Sequence, residues 1–311
     1  MHTRTRPRRT IGAAVFRPPR ALGVIVGGGI VLWALAIGGL SLWVAVGAPA
    51  EFKTFAAWVA GALLLFLAMV FLNWTYSLAT LRYTIGDDAL VIVWGFRRIV
   101  VPIQNIQRMV PGRTLDEPDV EGLNWWGCHV GAADVPRIGY TLFYSTHSSP
   151  DELLYVVTDG EAYALTVLDQ ASFAEEVQAR AALGPVLGAT QRASATGLAA
   201  LPFWRDRVAL MAAALSILAC AGLVGYVFTS YPGLPQVVQF EFPDLGGIVR
   251  IGNKAELLRI AYLGAGILAT NVVLGVLVHA RERAAGLWLF VSAGMIQVVL
   301  LSAALVAFEN A

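Results

Sequence analysis

Residues 22–46 read LGVIVGGGIVLWALAIGGLSLWVAV and residues 55–79 read FAAWVAGALLLFLAMVFLNWTYSLA. Neither run carries a charged side chain, and each is long enough as helix to cross about 30 Å of hydrocarbon. Three further apolar runs follow at residues 208–228, 257–278 and 287–308. A chain inside hydrocarbon must satisfy its own backbone polar groups, so each run is predicted to be a helix. The order is two spans, about a hundred residues of mixed character, then three spans. That order predicts an α+β membrane protein: five transmembrane helices in a 2+3 arrangement, with a β-rich domain inserted between them.

Composition agrees. Hydrophobic residues make up 57% of the chain and charged residues 14%, against about 25% charged in soluble domains. The net charge of +1 gives no ground for a nucleic-acid partner. Of the two cysteines, Cys128 falls in the central domain and Cys220 in a span, so no disulfide framework or CxxC motif is expected.

Charge sets the orientation. Arg4, Arg6, Arg8, Arg9, Arg17 and Arg20 precede the first span with no acid among them. Clustered arginine at a span end resists translocation, which predicts a cytoplasmic N-terminus. Arg82, Arg97, Arg98, Arg108 and Arg113 follow the second span, and Arg205 and Arg207 lead into the third. The same rule places the central domain and the 279–286 turn, with Arg281 and Arg283, inside. Segment 231–256 and the C-terminus then fall outside. The first run is far longer than the roughly 7–15 apolar residues of a cleaved signal, so it is read as an anchor. The expected parts are a basic tail at 1–21, a helix hairpin at 22–80, the cytoplasmic domain at 81–183, a linker at 184–206 and a three-helix region at 207–311.

From Arg82 the pattern changes to short β-branched runs punctuated by Gly86-Asp87-Asp88 and Gly95-Phe96. This predicts a three-strand meander ending at Pro102, with a helical turn over Ile103, Ile106 and Met109-Val110. Further strands are expected at 140–145, 153–158 and 163–167. A helix is expected over 169–183, with Ser172 and Glu175 at capping-box spacing. Residues 115–133 look irregular. They hold four acids, Trp125-Trp126 and Cys128-His129, and irregular loops with exposed aromatics concentrate binding. The competing reading lays the two indoles against the domain or the membrane boundary. Trp125, Trp126, Arg97 and Arg98 are the candidate partner-binding residues.

The run Tyr83-x-Ile85-x-x-Asp88-x-Leu90-x-Ile92-x-Trp94-Gly95, ending in Val101-Pro102-Ile103, resembles the opening of bacterial pleckstrin-homology-like (PH-like) domains. Gly122-Leu123-Asn124-Trp125-Trp126-Gly127 and Val157-Thr158-Asp159-Gly160-x-x-Tyr163 fit the same family. The resemblance implies a seven-stranded, partly open barrel capped by a C-terminal helix, attached to a bacterial inner membrane and serving as an interaction platform. In the related lipid-binding domains the first hairpin loop is basic. Here it is the acidic Gly86-Asp87-Asp88, which argues against phosphoinositide recognition.

In the outer segment, Pro235, Phe240, Gly246-Gly247, Arg250 and Asn253-Lys254 resemble a motif in a bacterial domain of unknown function that also occurs in immunity-type membrane proteins. Gln239 stands where that motif has histidine. Within the spans, Asn271 and Gln297 are the polar candidates, placed to meet across the last helix pair. No span centre carries an acid or a base, which argues against an ion-coupled transporter.

His147 lies among Ser145, Ser148, Ser149 and Asp151, but nothing frames an oxyanion hole. No P-loop, HExxH or dinucleotide fingerprint is present, and Cys128-His129 alone is too few ligands for zinc. No catalytic residue, metal or cofactor is therefore expected. The sequence predicts a non-enzymatic membrane protein in contact with the lipid bilayer. Its PH-like domain would bind a protein partner or a second copy, as a scaffold, assembly or envelope-stress component. The alternative is an immunity or transport-type protein acting through the last three helices and the outer loop.

Overall fold

The computed structural model describes residues 12–116, 118–183, 190–242 and 248–309, with residues 198–199, 239–242 and 248–250 described by backbone alone. Arg4, Arg6, Arg8, Arg9, Glu117, Gly246, Gly247, Asn310 and Ala311 lie outside the described residues, as do the side chains of Gln239, Phe240 and Arg250.

In chain order the elements are β1 (Ala14–Phe16), α1 (Ala21–Ala45), α2 (Phe52–Ala79), β2 (Arg82–Ile85), β3 (Ala89–Trp94), β4 (Arg97–Pro102) and β5 (Ile106–Pro111). Next come β6 (Glu121–Trp125), β7 (Cys128–Val135), β8 (Gly139–Ser145), β9 (Leu153–Thr158), β10 (Ala162–Thr166), α3 (Gln170–Ala181) and β11 (Arg192–Ala195). The last are α4 (Arg207–Ser230), β12 (Val237–Phe242), β13 (Ile248–Asn253), α5 (Leu258–His279) and α6 (Arg283–Glu309). Helices α1, α2, α4, α5 and α6 are long and apolar enough to cross a membrane, which marks a multi-pass membrane protein. The chain divides into two compact units, Met1–Ala34 with Phe66–Ala200, and Leu35–Leu65 with Leu201–Ala311.

The first unit carries the β-rich domain. One sheet has the order β1-β2-β3-β4-β11 and the other β5-β9-β10-β8-β7-β6. These are two open sheets, so the expected barrel is corrected: the ends of each sheet do not pair with one another. Their shared core holds Tyr83, Ile85, Leu90, Ile92, Val101, Val156, Leu165 and, from α3, Phe173 and Val177. Tyr83 ties the sheets together. Its hydroxyl donates to the Tyr144 carbonyl oxygen at 2.6 Å and accepts from the Thr166 N–H at 3.3 Å. Burial raises its pKa well above the ordinary tyrosine value.

Several local expectations change. The stretch read as a helical turn is a single 3₁₀ turn at Ile103–Asn105 followed by strand β5. The α3 N-cap is Asp169, whose carboxylate accepts from the Ser172 N–H at 2.9 Å, in place of a capping box at Ser172. The basic tail and the linker each contribute an edge strand. β1 pairs with β2, and β11 pairs with β4. Arg180, fully buried in α3, donates to the Gly12 carbonyl oxygen and pairs with Glu176, while Phe16 packs edge-on to Phe173.

In the second unit α4, α5 and α6 pack together around Leu223, Val227, Ala261, Phe290, Ala293 and Ala304. Asn271 and Gln297 do not meet. Gln297 Nε2 donates to the Gly264 carbonyl oxygen at 2.9 Å, whereas Asn271 Nδ2 bonds back to Ile267 on its own helix. Depth explains the difference. Counted from the observed helix ends at His279 and Arg283, Gly264 and Gln297 both lie roughly 21–23 Å along, while Asn271 lies only about 12 Å along. Ser216 donates to the Phe290 carbonyl oxygen at 2.6 Å, joining α4 to α6.

Candidate functional site

Two hairpin turns of the domain sit against the ends of the first two helices. β3 and β4 are joined by Gly95-Phe96, and β6 and β7 by Trp126-Gly127. Each turn needs a glycine with positive φ, at +57° for Gly95 and +80° for Gly127, a region disfavoured for other residues. Each also presents an aromatic side chain: Phe96 is 44% exposed and Trp126 78%. Of the stretch expected to be irregular, residues 121–133 belong to a regular hairpin, while 115–116 and 118–120 are irregular as expected.

The first turn rests on α2. The Gly95 N–H donates to Thr80 Oγ1 at 3.0 Å, a Cβ at Gly95 would strike Ser77, and Phe96 packs on Tyr76 at 5.4 Å between rings. The second turn rests on both helices. Trp125 Nε1 donates to the Gly23 carbonyl oxygen at 3.3 Å. Its ring packs on Trp74 and Phe71 at 6.1 and 5.8 Å. A Cβ at Gly23 would strike the Gly127 carbonyl, and one at Gly27 would strike Thr75. The Gly23/Gly27 step therefore serves close backbone approach inside this unit.

Of the candidate partner-binding residues, Trp125 is turned inward and Trp126 outward. Arg97 bonds to the Tyr144 hydroxyl and lies 5.9 Å from the centre of the Trp94 ring. Arg98 is exposed on β4, and its carbonyl accepts from Ser194 Oγ. The structure brings Trp125 and Trp126 together on one turn and leaves Arg97 and Arg98 on the other hairpin. Sequence reasoning marked Gly23 and Gly27 only as a small-residue step suited to close helix contact, and missed the rest of the helix side of the site: Phe71, Trp74, Ser77 and Thr80. The Trp74/Tyr76 pair near the end of an apolar run was the available signal, because indole and phenol favour the membrane boundary.

A cleft of about 820 Å³ beside the Trp126 turn is lined by Leu22, Val26, Asn124, His129, His147 and Ser148, among others. The His129 and His147 rings lie 4.2 Å apart. Ser145 Oγ is 3.1 Å from His147 Nδ1 and 3.2 Å from the His129 carbonyl oxygen. A hydroxyl that donates to the carbonyl must accept at His147, so Nδ1 carries the proton. Burial, and then the neighbouring His129, pull the His147 pKa down to about 4. The nearby serines make local turn bonds. Ser148 N–H donates to the Glu152 carboxylate, and Ser149 Oγ accepts from Asp151 N–H. Burial pushes the Cys128 thiol up to about 12, far from a reactive thiolate. Among the described residues no group of three or more His, Cys, Asp or Glu is placed to hold a metal ion.

In the outer segment Pro235 is exposed. Lys254 Nζ donates to the Leu234 carbonyl oxygen at 3.2 Å and lies over the Tyr231 ring at 4.8 Å. Phe240 and Arg250 are paired by backbone register across β12 and β13.

No curated protein matches the chain, and no solved structure does. The family comparison falls on the two-sheet domain and does not extend to the outer segment, so the second resemblance drawn from the sequence is not shown. Residues 81–181 match a family described as bacterial PH domain, which makes this a multi-pass chain with a PH-like domain between its second and third apolar helices.

Proposed function

We propose that the protein is a non-enzymatic membrane component that holds its PH-like domain in a fixed pose on the cytoplasmic face of the bacterial inner membrane. There the domain serves as an interaction platform for a protein partner or a second copy of the chain. The observation that carries this reading is the double clasp of hairpin turns on α1 and α2. A catalytic domain gains little from being pinned to its anchor, whereas a platform gains a defined orientation toward whatever else lies on that membrane. The arginines at the start of α1, after α2 and around α4 to α6 support the cytoplasmic side. The inward, bonded state of Ser145 and His147 supports a structural part for them.

Strand β6 is the best-placed contact surface. It ends its sheet, and Glu121, Gly122 and Asn124 are exposed. An open edge with free backbone donors and acceptors is suited to pairing with an added strand. A photoreactive residue at Asn124 in the full-length protein, activated in cells, tests the reading. A dominant protein adduct supports it; only lipid adducts would overturn it. Trp125 is unsuitable for the probe, because its ring is packed inside the unit.

A further inference from the structure

A second cleft, of about 520 Å³, lies between the two hairpins and falls in the range typical of small-ligand sites, roughly 300–1,000 Å³. Its floor is one face of β6, β7 and β8. The register aligns Leu123 with Val130 and Tyr144, and Glu121 with Ala132 and Leu142. One wall is Trp94, Phe96 and Arg97 from the β3–β4 hairpin, and the other is Asn73, Trp74 and Ser77 from α2. Asn73 is six residues from the end of α2, about 9 Å along it, so this wall lies near the end of an apolar helix long enough to cross a membrane.

The lining is chemically sorted. The Trp94 side chain is 7% exposed and its Nε1–H is buried without an acceptor. The Asn73 amide makes no side-chain hydrogen bond among the described residues, although it sits on an apolar helix. Arg97 adds a guanidinium held by the Tyr144 hydroxyl. The cleft lining thus offers one buried donor, the Trp94 N–H, whose lack of a partner is costly, and two exposed ones, the Arg97 guanidinium and the Asn73 amide. Glu121, exposed on the edge strand, is the only acid in the lining, and no ion pair joins it to Arg97 among the described residues. Trp74, Phe96, Leu123 and Leu142 supply apolar surface between the polar groups.

We infer that this cleft holds one zwitterionic aminophospholipid drawn from the bilayer. Its phosphodiester is bound by Arg97 with Trp94 and Asn73, its ammonium faces Glu121, and its chains leave along Trp74 and Phe96. The donors call for an anionic oxygen, the opposed carboxylate calls for a cation on the same molecule, and the apolar wall calls for hydrocarbon. A free phosphate or a soluble amino acid meets only part of that set. The inference is independent of which partner the domain recruits.

The test uses full-length protein, delipidated in detergent and re-supplied with phosphatidylethanolamine or phosphatidylglycerol of equal chain length, with bound lipid counted by native mass spectrometry. The expected result is one retained phosphatidylethanolamine, preferred at least tenfold over phosphatidylglycerol. Arg97→Gln should lower retention of both lipids about tenfold. Glu121→Gln should keep phosphatidylglycerol and lose the preference for the amine. Arg113→Ala, exposed and outside the cleft, should match the wild type. Equal retention by wild type and Arg97→Gln would overturn the inference. So would an amine preference indifferent to Glu121→Gln, or a co-purifying peptide in place of lipid. Should Arg97→Gln fail to fold, Glu121→Gln, exposed on an edge strand, decides alone by the same criterion.

Discussion

The Trp125 indole N–H and the Gly23 carbonyl oxygen, 102 residues apart in sequence, meet at 3.3 Å. A hydrogen bond at the tip of the β6–β7 hairpin thereby joins the domain to the first turn of the first membrane helix. Trp125→Phe keeps an aromatic ring but removes the donor and part of the packed surface, so it should destabilise the first unit by about 1–2 kcal/mol. Trp125→Ala also removes the packing on Phe71 and Trp74, raising the expected loss to about 3–5 kcal/mol. Thermal unfolding of the purified protein in detergent ranks the two.

The glycines at this contact make a sharper test. Gly127 has φ of +80° and faces Gly23, so Gly127→Ala combines an unfavourable backbone with a collision. Gly12→Ala, with open space around its Cβ position, is the control. The expected loss at Gly127 is about 2 kcal/mol or more, with the control near zero. Limited proteolysis within residues 115–133 should accelerate only in the first variant.

Acid should weaken the domain through His147. Its folded-state pKa is about 4 against an ordinary 6.5, chiefly from burial and secondly from His129. Between those values the unfolded chain takes up the proton and the folded chain does not. Stability is therefore complete above pH 6.5, falls as the pH drops toward 4, and levels off below. The loss is roughly 2 kcal/mol once partial solvent access is allowed for. Unfolding midpoints measured from pH 7.5 to 4 should fall in the wild type and fall less in His147→Gln.

Asp206 plays two parts at the start of α4. Its carboxylate accepts from the Val208 and Ala209 N–H groups and pairs with Arg283 at 2.5 Å. The Arg283 contact is the main reason its pKa falls to about 2. The stabilising contribution of its contact with Arg283 is present above the ordinary carboxylate range and is lost only as the pH falls through about 2. Asp206→Asn keeps a capping oxygen and loses the ion pair; Asp206→Ala loses both. The expected order of melting temperature is wild type, Asn, then Ala, and salt should narrow the first gap.

At Gln297 the naive expectation is reversed. Its Nε2 is bonded to Gly264, but its Oε1 is buried without a partner. Gln297→Met removes a bond and an unsatisfied oxygen together, so the change should stay within about 1 kcal/mol of zero. Gly264→Val places atoms against Gln297 and Leu223 and should cost about 1–3 kcal/mol. Detergent unfolding of the pair separates packing from hydrogen bonding in this helix bundle.

The parts legible in the sequence are those whose signal is local. Five long apolar runs, the β2–β4 meander with its Gly95-Phe96 turn, and the β9–β10 pair around Asp159-Gly160 need nothing from distant residues. β1 and β11 were not legible. Ala14–Phe16 and Arg192–Ala195 are short and unremarkable until they find β2 and β4, and pairing energy from a remote partner leaves no periodicity behind. The β6–β7 hairpin was hidden differently: its acids, glycines and Cys-His pair dilute the alternation, so Trp126-Gly127 did not announce a turn. The site was half visible. Trp125 and Arg97 were legible as residues of interest, but the helix surfaces they face were not.

Strand β1 comes before the first membrane helix, and its mate β2 comes after the second. The two can pair only when Ala14–Phe16 and Arg82–Ile85 lie in the same compartment, so α1 and α2 must both cross or neither. A chain that miscounted its crossings would strand the two halves of the pair on opposite sides of the bilayer. The three-residue edge strand is thus a local record of the topology of the whole α1–α2 hairpin.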